Sequence, residues 1–191
     1  MKYDDVYYDL IHVDEVSSSV IFADNKYEVD EFDAYKPLVV PEVLKMKIDD
    51  DEEALLGDFL SEPFHIWSKR AKEIIEEHVP FGSQLFPVVI KHREKEYPNY
   101  FILNCHNEIG VMHRGRSKFQ ERGLLTFIDS LSLDEDILDK IPEENRMILV
   151  MEEKASMVLY HEKLVKALQD ANVTGVYFKK IKEWTIGSSF D

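Results

Sequence analysis

The chain has 191 residues, 45% of them hydrophobic and 12% aromatic, which is enough for a sizeable core and more than a disordered segment carries. Its 23 Lys and Arg stand against 38 Asp and Glu, and the net charge of −15 argues against nonspecific nucleic-acid binding, which needs cations to neutralise phosphates. No apolar run approaches the about 18 residues that span a membrane, MKYDDVYYDL lacks the basic-then-apolar order of a secretory signal, and one cysteine, Cys105, excludes an internal disulfide framework. A reducing, cytoplasmic setting is the expectation.

The first predicted strand is Val6 to Val13 (VYYDLIHV), rich in Tyr, Ile and Val. Ser17-Ser18-Ser19 breaks the pattern before a short apolar piece, Val20-Ile21-Phe22. Pro37 and Pro41 bracket Leu38-Val39-Val40, which reads as an extended edge segment, because proline cannot donate to a ladder. Residues 42–62 give no clear period. A helix is predicted from about 64 to 79, capped by Ser61 with Pro63 in its first turn. Its apolar face is Ile66, Ala71, Ile74, Ile75 and His78 or Val79, and Pro80 ends it. Leu85–Lys91 and Asn99–Cys105 then read as two strands joined by the polar stretch 92–98, a hairpin with a long loop.

Residues 110–123 (GVMHRGRSKFQERG) read as a basic, glycine-punctuated loop, followed by a short strand from Leu124 to Ser130 and a helical turn capped by Ser132. Arg146–Met151 is a buried strand by composition. Tyr160–Ala171 is an amphipathic helix with Leu164, Val165, Leu168 and Ala171 on one face, and Asn172 is its left-handed cap. Thr174–Ile181 closes the chain as a strand. Short strands alternating with two main helices predict an α+β fold, a single domain over 1–191. It comprises an acidic region, 1–62, and a core, 63–191, in which both helices pack on one mixed or mainly antiparallel sheet.

The charge is one-sided. Residues 1–62 hold 18 acids and 5 bases, whereas residues 63–191 hold 20 and 18. The densest run is Asp49, Asp50, Asp51, Glu52 and Glu53. Such a field attracts cationic partners and speeds their encounter, although a solvated acidic loop is the simpler reading of the run alone. The run lacks the alternating ligands, glycine and distal Glu of a calcium loop.

The search for chemistry returns little. There is no glycine-rich phosphate cradle, no HExxH, and one Cys permits no CxxC, so no metal and no cofactor is expected. Cys105 could serve as a nucleophile if the fold brought it His12, His92 or His161; its alternative is a small buried hydrophobe at a strand end. Arg114, Arg116, Lys118 and Arg122 with Phe119 make a phosphate-binding patch in miniature, or a solvated loop. Trp67 and Trp184 are either interface anchors or core packing.

Several segments carry a resemblance: SKRAKEIIEEHVPF (Ser68 to Phe81), FPVVI (Phe86 to Ile90), YPNYFILNC (Tyr97 to Cys105) and EKLVKALQDANVTGVYF (Glu162 to Phe178). Their order is similar to the DUF1629-type immunity protein family, the eleventh class among bacterial polymorphic-toxin immunity proteins. The resemblance covers about residues 60–183 and implies a non-enzymatic protein that binds and blocks a toxin encoded beside it. The residues expected to meet the toxin are Asp49, Asp50, Asp51, Glu52 and Glu53, with Tyr35 and Trp67 as anchors. Two other readings remain: a small hydrolase using Cys105 with a distant His, and an acidic nucleic-acid mimic.

Overall fold

The computed structural model describes residues 1–13, 20–23, 36–39, 43–48, 56–61, 64–78, 80–123 and 125–188. Within them the fold is α+β, as the sequence predicts, but its strands form two large sheets and a hairpin where one sheet is expected.

The first large sheet has the order β2-β3-β6-β7-β5-β4, from Ile21–Phe22 (β2), Leu44–Lys47 (β3), Phe59–Leu60 (β4), Ile66–Ser68 (β5), Ser83–His92 (β6) and Lys95–Cys105 (β7). β3 and β6 run parallel and the other neighbours antiparallel. The second has the order β13-β1-β12-β11-β8, from Tyr7–His12 (β1), Glu108–Ile109 (β8), Ile148–Met151 (β11), Lys154–His161 (β12) and Val176–Lys180 (β13). Here only β8 and β11 are parallel. The acidic first third is therefore no appendage: β1 lies inside one sheet, and β2, β3 and β4 belong to the other.

β6 and β7 form a long hairpin that turns at Arg93-Glu94, so most of the expected 92–98 loop is strand. Arg93 takes the left-handed conformation at the tip (φ 54°). Pro98 cannot donate a ladder bond, and the chain absorbs it in a bulge where the register shifts between Val88 and Ile90 and Asn99 adopts φ 72°. The basic stretch 110–123 is likewise partly strand. Lys118–Arg122 (β9) pairs with Leu125–Ser130 (β10) across Gly123.

Helix α1 spans Lys69–Glu77 and begins later than its periodicity predicts. Ser68, not Ser61, is the cap, its hydroxyl accepting the Ala71 N–H at 3.3 Å. Ile66 and Trp67 instead pair with Ile102 and Phe101 of β7. A β-branched and an aromatic residue beside an open strand edge favour the sheet over the first helical turn. Helix α2 is short, Glu135–Leu138, and is capped by Asp134. The expected cap, Ser132, instead donates to the buried Asp4 carboxylate at 3.0 Å. Helix α3 spans Glu162–Asp170 and ends at Asn172 with φ 53°, the left-handed cap read from the sequence.

The two sheets and the two main helices share a core. Phe59, Trp67, Leu103 and Cys105 from the first sheet meet Leu10, Ile148, Val150 and Tyr160 from the second. Ala71 and Ile75 of α1 and Leu164, Val165 and Leu168 of α3 fill the space between. Burying each large aliphatic side chain there contributes about 1.5–3 kcal/mol, so this joint core binds the sheets together. A second core, with Tyr7, Leu149 and Trp184, lies on the far side of the five-stranded sheet. A third, with Leu44, Ile66 and Ile90, lies on the far side of the six-stranded one.

Candidate functional site

Asp49, Asp50, Asp51, Glu52, Glu53 and Tyr35 lie outside the described residues. The residues on either side of the acidic run belong to the core. Before it, Ile48 is buried and its N–H donates to the Lys91 carbonyl at 2.9 Å. After it, Leu56 packs on the same core, and the Gly57 carbonyl accepts the Tyr100 hydroxyl at 3.0 Å.

Asp58 then fixes the chain to the opposite half of the molecule. Its carboxylate accepts the Ser68 hydroxyl at 2.6 Å and the Thr174 N–H and hydroxyl at 3.0 Å each, and it pairs with Arg70. Arg70 also donates to the Ala171 carbonyl at 3.0 Å and the Asn172 carbonyl at 3.3 Å. These donors outweigh the effect of burial and hold the Asp58 carboxyl below its ordinary value. Gly175 completes the joint. At φ 82°, a Cβ there would meet the Phe59 carbonyl at 2.6 Å, so the Thr-Gly pair permits the two backbones to touch.

Trp67 does not serve as a surface anchor. It sits in β5 with no exposed surface, its ring tilted against Phe59 at 4.6 Å between centroids and edge-on to Tyr160 at 6.1 Å. The core-packing alternative is the one that the structure shows. Trp184 is also buried; its indole N–H donates to Asp9 at 2.8 Å.

The densest set of perturbed groups lies between the sheets, around a histidine that sequence reasoning missed. His65 Nδ1 is 2.8 Å from the Tyr160 hydroxyl, the rings stack at 5.8 Å, and Phe59 meets the imidazole edge-on. Burial pulls the imidazole down to about 4 and pushes the phenol far up, so both are neutral near pH 7. The two share one hydrogen bond, its direction set by which imidazole nitrogen carries the proton. Trp67 Nε1 is buried close to the Tyr160 hydroxyl and makes no well-formed hydrogen bond among the described residues.

Cys105 ends β7, buried as the strand reading expects, and burial pushes its thiol up. The Asn107 N–H and, across the strand pair, Ser83 face the sulfur. Of the histidines named as possible bases, His161 is engaged elsewhere. His161 caps α3 by accepting the Lys163 N–H at 3.3 Å, and it lies 3.9 Å from Glu143. His92 is buried at the tip end of β6, next to Lys95 in register. His12 closes β1 opposite Val176. A protonated, buried thiol is a poor nucleophile.

In the basic hairpin Arg116 is structural, donating to Ser132 and the Leu133 carbonyl. Arg114 pairs with Glu121 and lies over Phe119, and Arg122 lies over Phe127. Among the described residues no group of three or more His, Cys, Asp or Glu converges as a metal site, and no helix is long and apolar enough to cross a membrane. No family model matches the chain, and no curated protein matches it.

Proposed function

We propose that this chain is an immunity protein: it binds a cognate secreted bacterial toxin, encoded by the neighbouring gene, in the cytoplasm and neutralises it one to one without catalysis or cofactor. The observation that carries this reading is how the acidic run is mounted. Thirteen of the fifteen net negative charges lie in residues 1–62, and the densest run leaves a buried Ile48 and returns to the Asp58 joint. Fixing both ends of a charged segment lowers the entropy lost when it docks, and its negative field speeds the approach of a basic partner. The resemblance of residues 60–183 to immunity proteins supplies the kind of partner. The protonated, enclosed thiol of Cys105 weighs against the hydrolase reading.

The test is protection and complex formation. Expression of the neighbouring gene's toxin domain should arrest growth, and co-expression of this chain should restore it. The two purified proteins should elute together at one-to-one stoichiometry, and Cys105→Ala should protect as well as the parent chain. Loss of protection in Cys105→Ala with the fold intact would favour the hydrolase instead.

A further inference from the structure

Among the described residues β9 pairs with β10 alone, whereas the other edge of β10 is met at its end by Thr185, and the Ile186 N–H donates to the Asp129 carbonyl at 3.1 Å. The inner face of this hairpin rests Phe119 and Ile128 on the core that contains Leu133 and Trp184. Its base is fixed. Ser117 and Ser132 are bonded in both directions, at 3.0 and 3.2 Å, and Arg116 donates to the Leu133 carbonyl at 2.7 Å. Strand alternation turns Lys118, Gln120 and Arg122 to the outer face, with Phe127 of β10 abreast of Gln120. All four are exposed, Phe127 at 40%.

Residues 113–123 hold four bases and one acid in a chain of net charge −15. The acid, Glu121, pairs with Arg114, and Arg116 is bound at the hairpin base. Among the described residues Lys118 and Arg122 meet no carboxylate. The Arg122 guanidinium lies 5.5 Å from the Phe127 ring centre, with Gln120 as its hydrogen-bond partner. Stacking holds its planar fork in place, and a carboxylate matches that fork with two parallel bonds.

We infer that the β9 edge docks an acidic, extended segment of a protein partner, which lies along it as a third strand. The outward backbone groups of β9 supply the ladder. Carboxylates of the segment meet Lys118 and Arg122, and an apolar side chain between them crosses Gln120 to Phe127. Cations on an edge strand also keep other strands away, but that task needs no exposed phenylalanine beneath a guanidinium. A second copy of β9 is a poor occupant: antiparallel pairing about Gln120 sets Lys118 against Arg122, like charge against like. Nucleic acid is opposed by the net charge and by the single open ring, where sheets that bind it offer two or three. The proposal is independent of the immunity reading, in which the acidic run meets a basic surface.

The probe is a short fluorescent peptide alternating Glu with Val, added to the full chain at low salt. Oligothymidylate of equal charge is the competitor, and an N-methylated form of the peptide is the control for strand pairing. The peptide should bind, move the amide signals of Lys118, Gln120 and Arg122, and lose about tenfold or more in affinity with K118E/R122E. The milder K118Q/R122Q variant should weaken it by less, with unchanged urea midpoint, and the N-methylated form should bind about tenfold more weakly than its parent. No binding, equal binding to K118E/R122E, equal binding of the N-methylated peptide, shifts confined to other surfaces, or tighter binding of oligothymidylate would each overturn the proposal. So would binding gained only when residues 189–191 are removed, since the end of the chain would then be the occupant.

Discussion

Asp58 and Thr174 are joined twice, the carboxylate accepting both the backbone N–H and the hydroxyl of the threonine at 3.0 Å. The pair links the end of the acidic run to the loop after α3. Charge-assisted bonds of this kind are worth about 1.5–3 kcal/mol, and the Asp58 side chain is only 13% exposed. Asp58→Ala should therefore cost about 2–3 kcal/mol in urea unfolding at pH 7, and Thr174→Val about half as much. Because the folded carboxyl titrates below its ordinary 3.8, this stability is present above that value and lost as pH falls through the lowered one. The gap between parent and Asp58→Asn should close at the acid end; a gap constant with pH would contradict the assignment.

The Tyr160 hydroxyl and His65 supply the second prediction. Tyr160→Phe leaves His65 Nδ1 buried without its hydrogen-bond partner and should cost about 1–2 kcal/mol. His65 titrates near 4 when folded and near 6.5 when unfolded. Its contribution is complete above 6.5 and fades as pH falls from there to 4, because the unfolded state takes up the proton first. His161, also pulled down to about 4, acts in the same window. Stability curves of His65→Gln should be flatter than the parent's between pH 6.5 and 4.

Asp9 works in the opposite direction. Burial pushes its carboxyl up to about 6 despite the Trp184 indole N–H at 2.8 Å. A raised acid favours the protonated folded state, so its contribution is greatest below 3.8 and is lost as pH rises through 6. Asp9→Asn keeps an oxygen for Trp184 and removes the buried charge. It should stabilise the protein by about 1–3 kcal/mol at pH 8 and hardly at all at pH 3.5. Thermal melts of both proteins at the two pH values decide it.

Cys105 should be chemically silent. With the sulfur buried and its thiol raised, a maleimide should label the native protein far more slowly than the urea-unfolded chain. Cys105→Ala should cost about 1 kcal/mol, the loss of one buried sulfur's contacts. Rapid native labelling would restore the case for a reactive thiol.

These groups also show which parts of the molecule its sequence discloses. Helix α3 is legible because Leu164, Val165 and Leu168 recur on one face and Asn172 marks its end, both local signals. The β6–β7 strands are legible for the same reason. Ile66 misleads because it continues the helical period of α1, and only the edge of β7, some 35 residues away in the sequence, assigns it and Trp67 to a strand. The division into two sheets depends on β12, whose Lys154–Leu159 stretch carries no clear alternation, and on its pairing with β1. The Asp58 joint is invisible to pattern reading: its partner Thr174 lies 116 residues away, and a lone Asp after a Gly looks like any turn. Charge asymmetry, by contrast, needs no fold to be seen.

That asymmetry leads to the most demanding prediction of the proposed function. Rim charges act chiefly on association, whereas buried contacts set dissociation. Trp67 is fully enclosed, so the tight part of a complex must come from other side chains. Replacing Asp49, Asp50, Asp51, Glu52 and Glu53 with Asn and Gln removes five of the fifteen net charges. At low salt the variant should associate with the toxin about tenfold more slowly than the parent, while its dissociation rate changes little. At about 0.5 M salt the Debye length shrinks to a few ångströms, and the two association rates should converge. If the variant matches the parent at low salt, the run does not steer the partner. If instead only dissociation accelerates, the carboxylates lie in the buried centre of the interface and not at its rim.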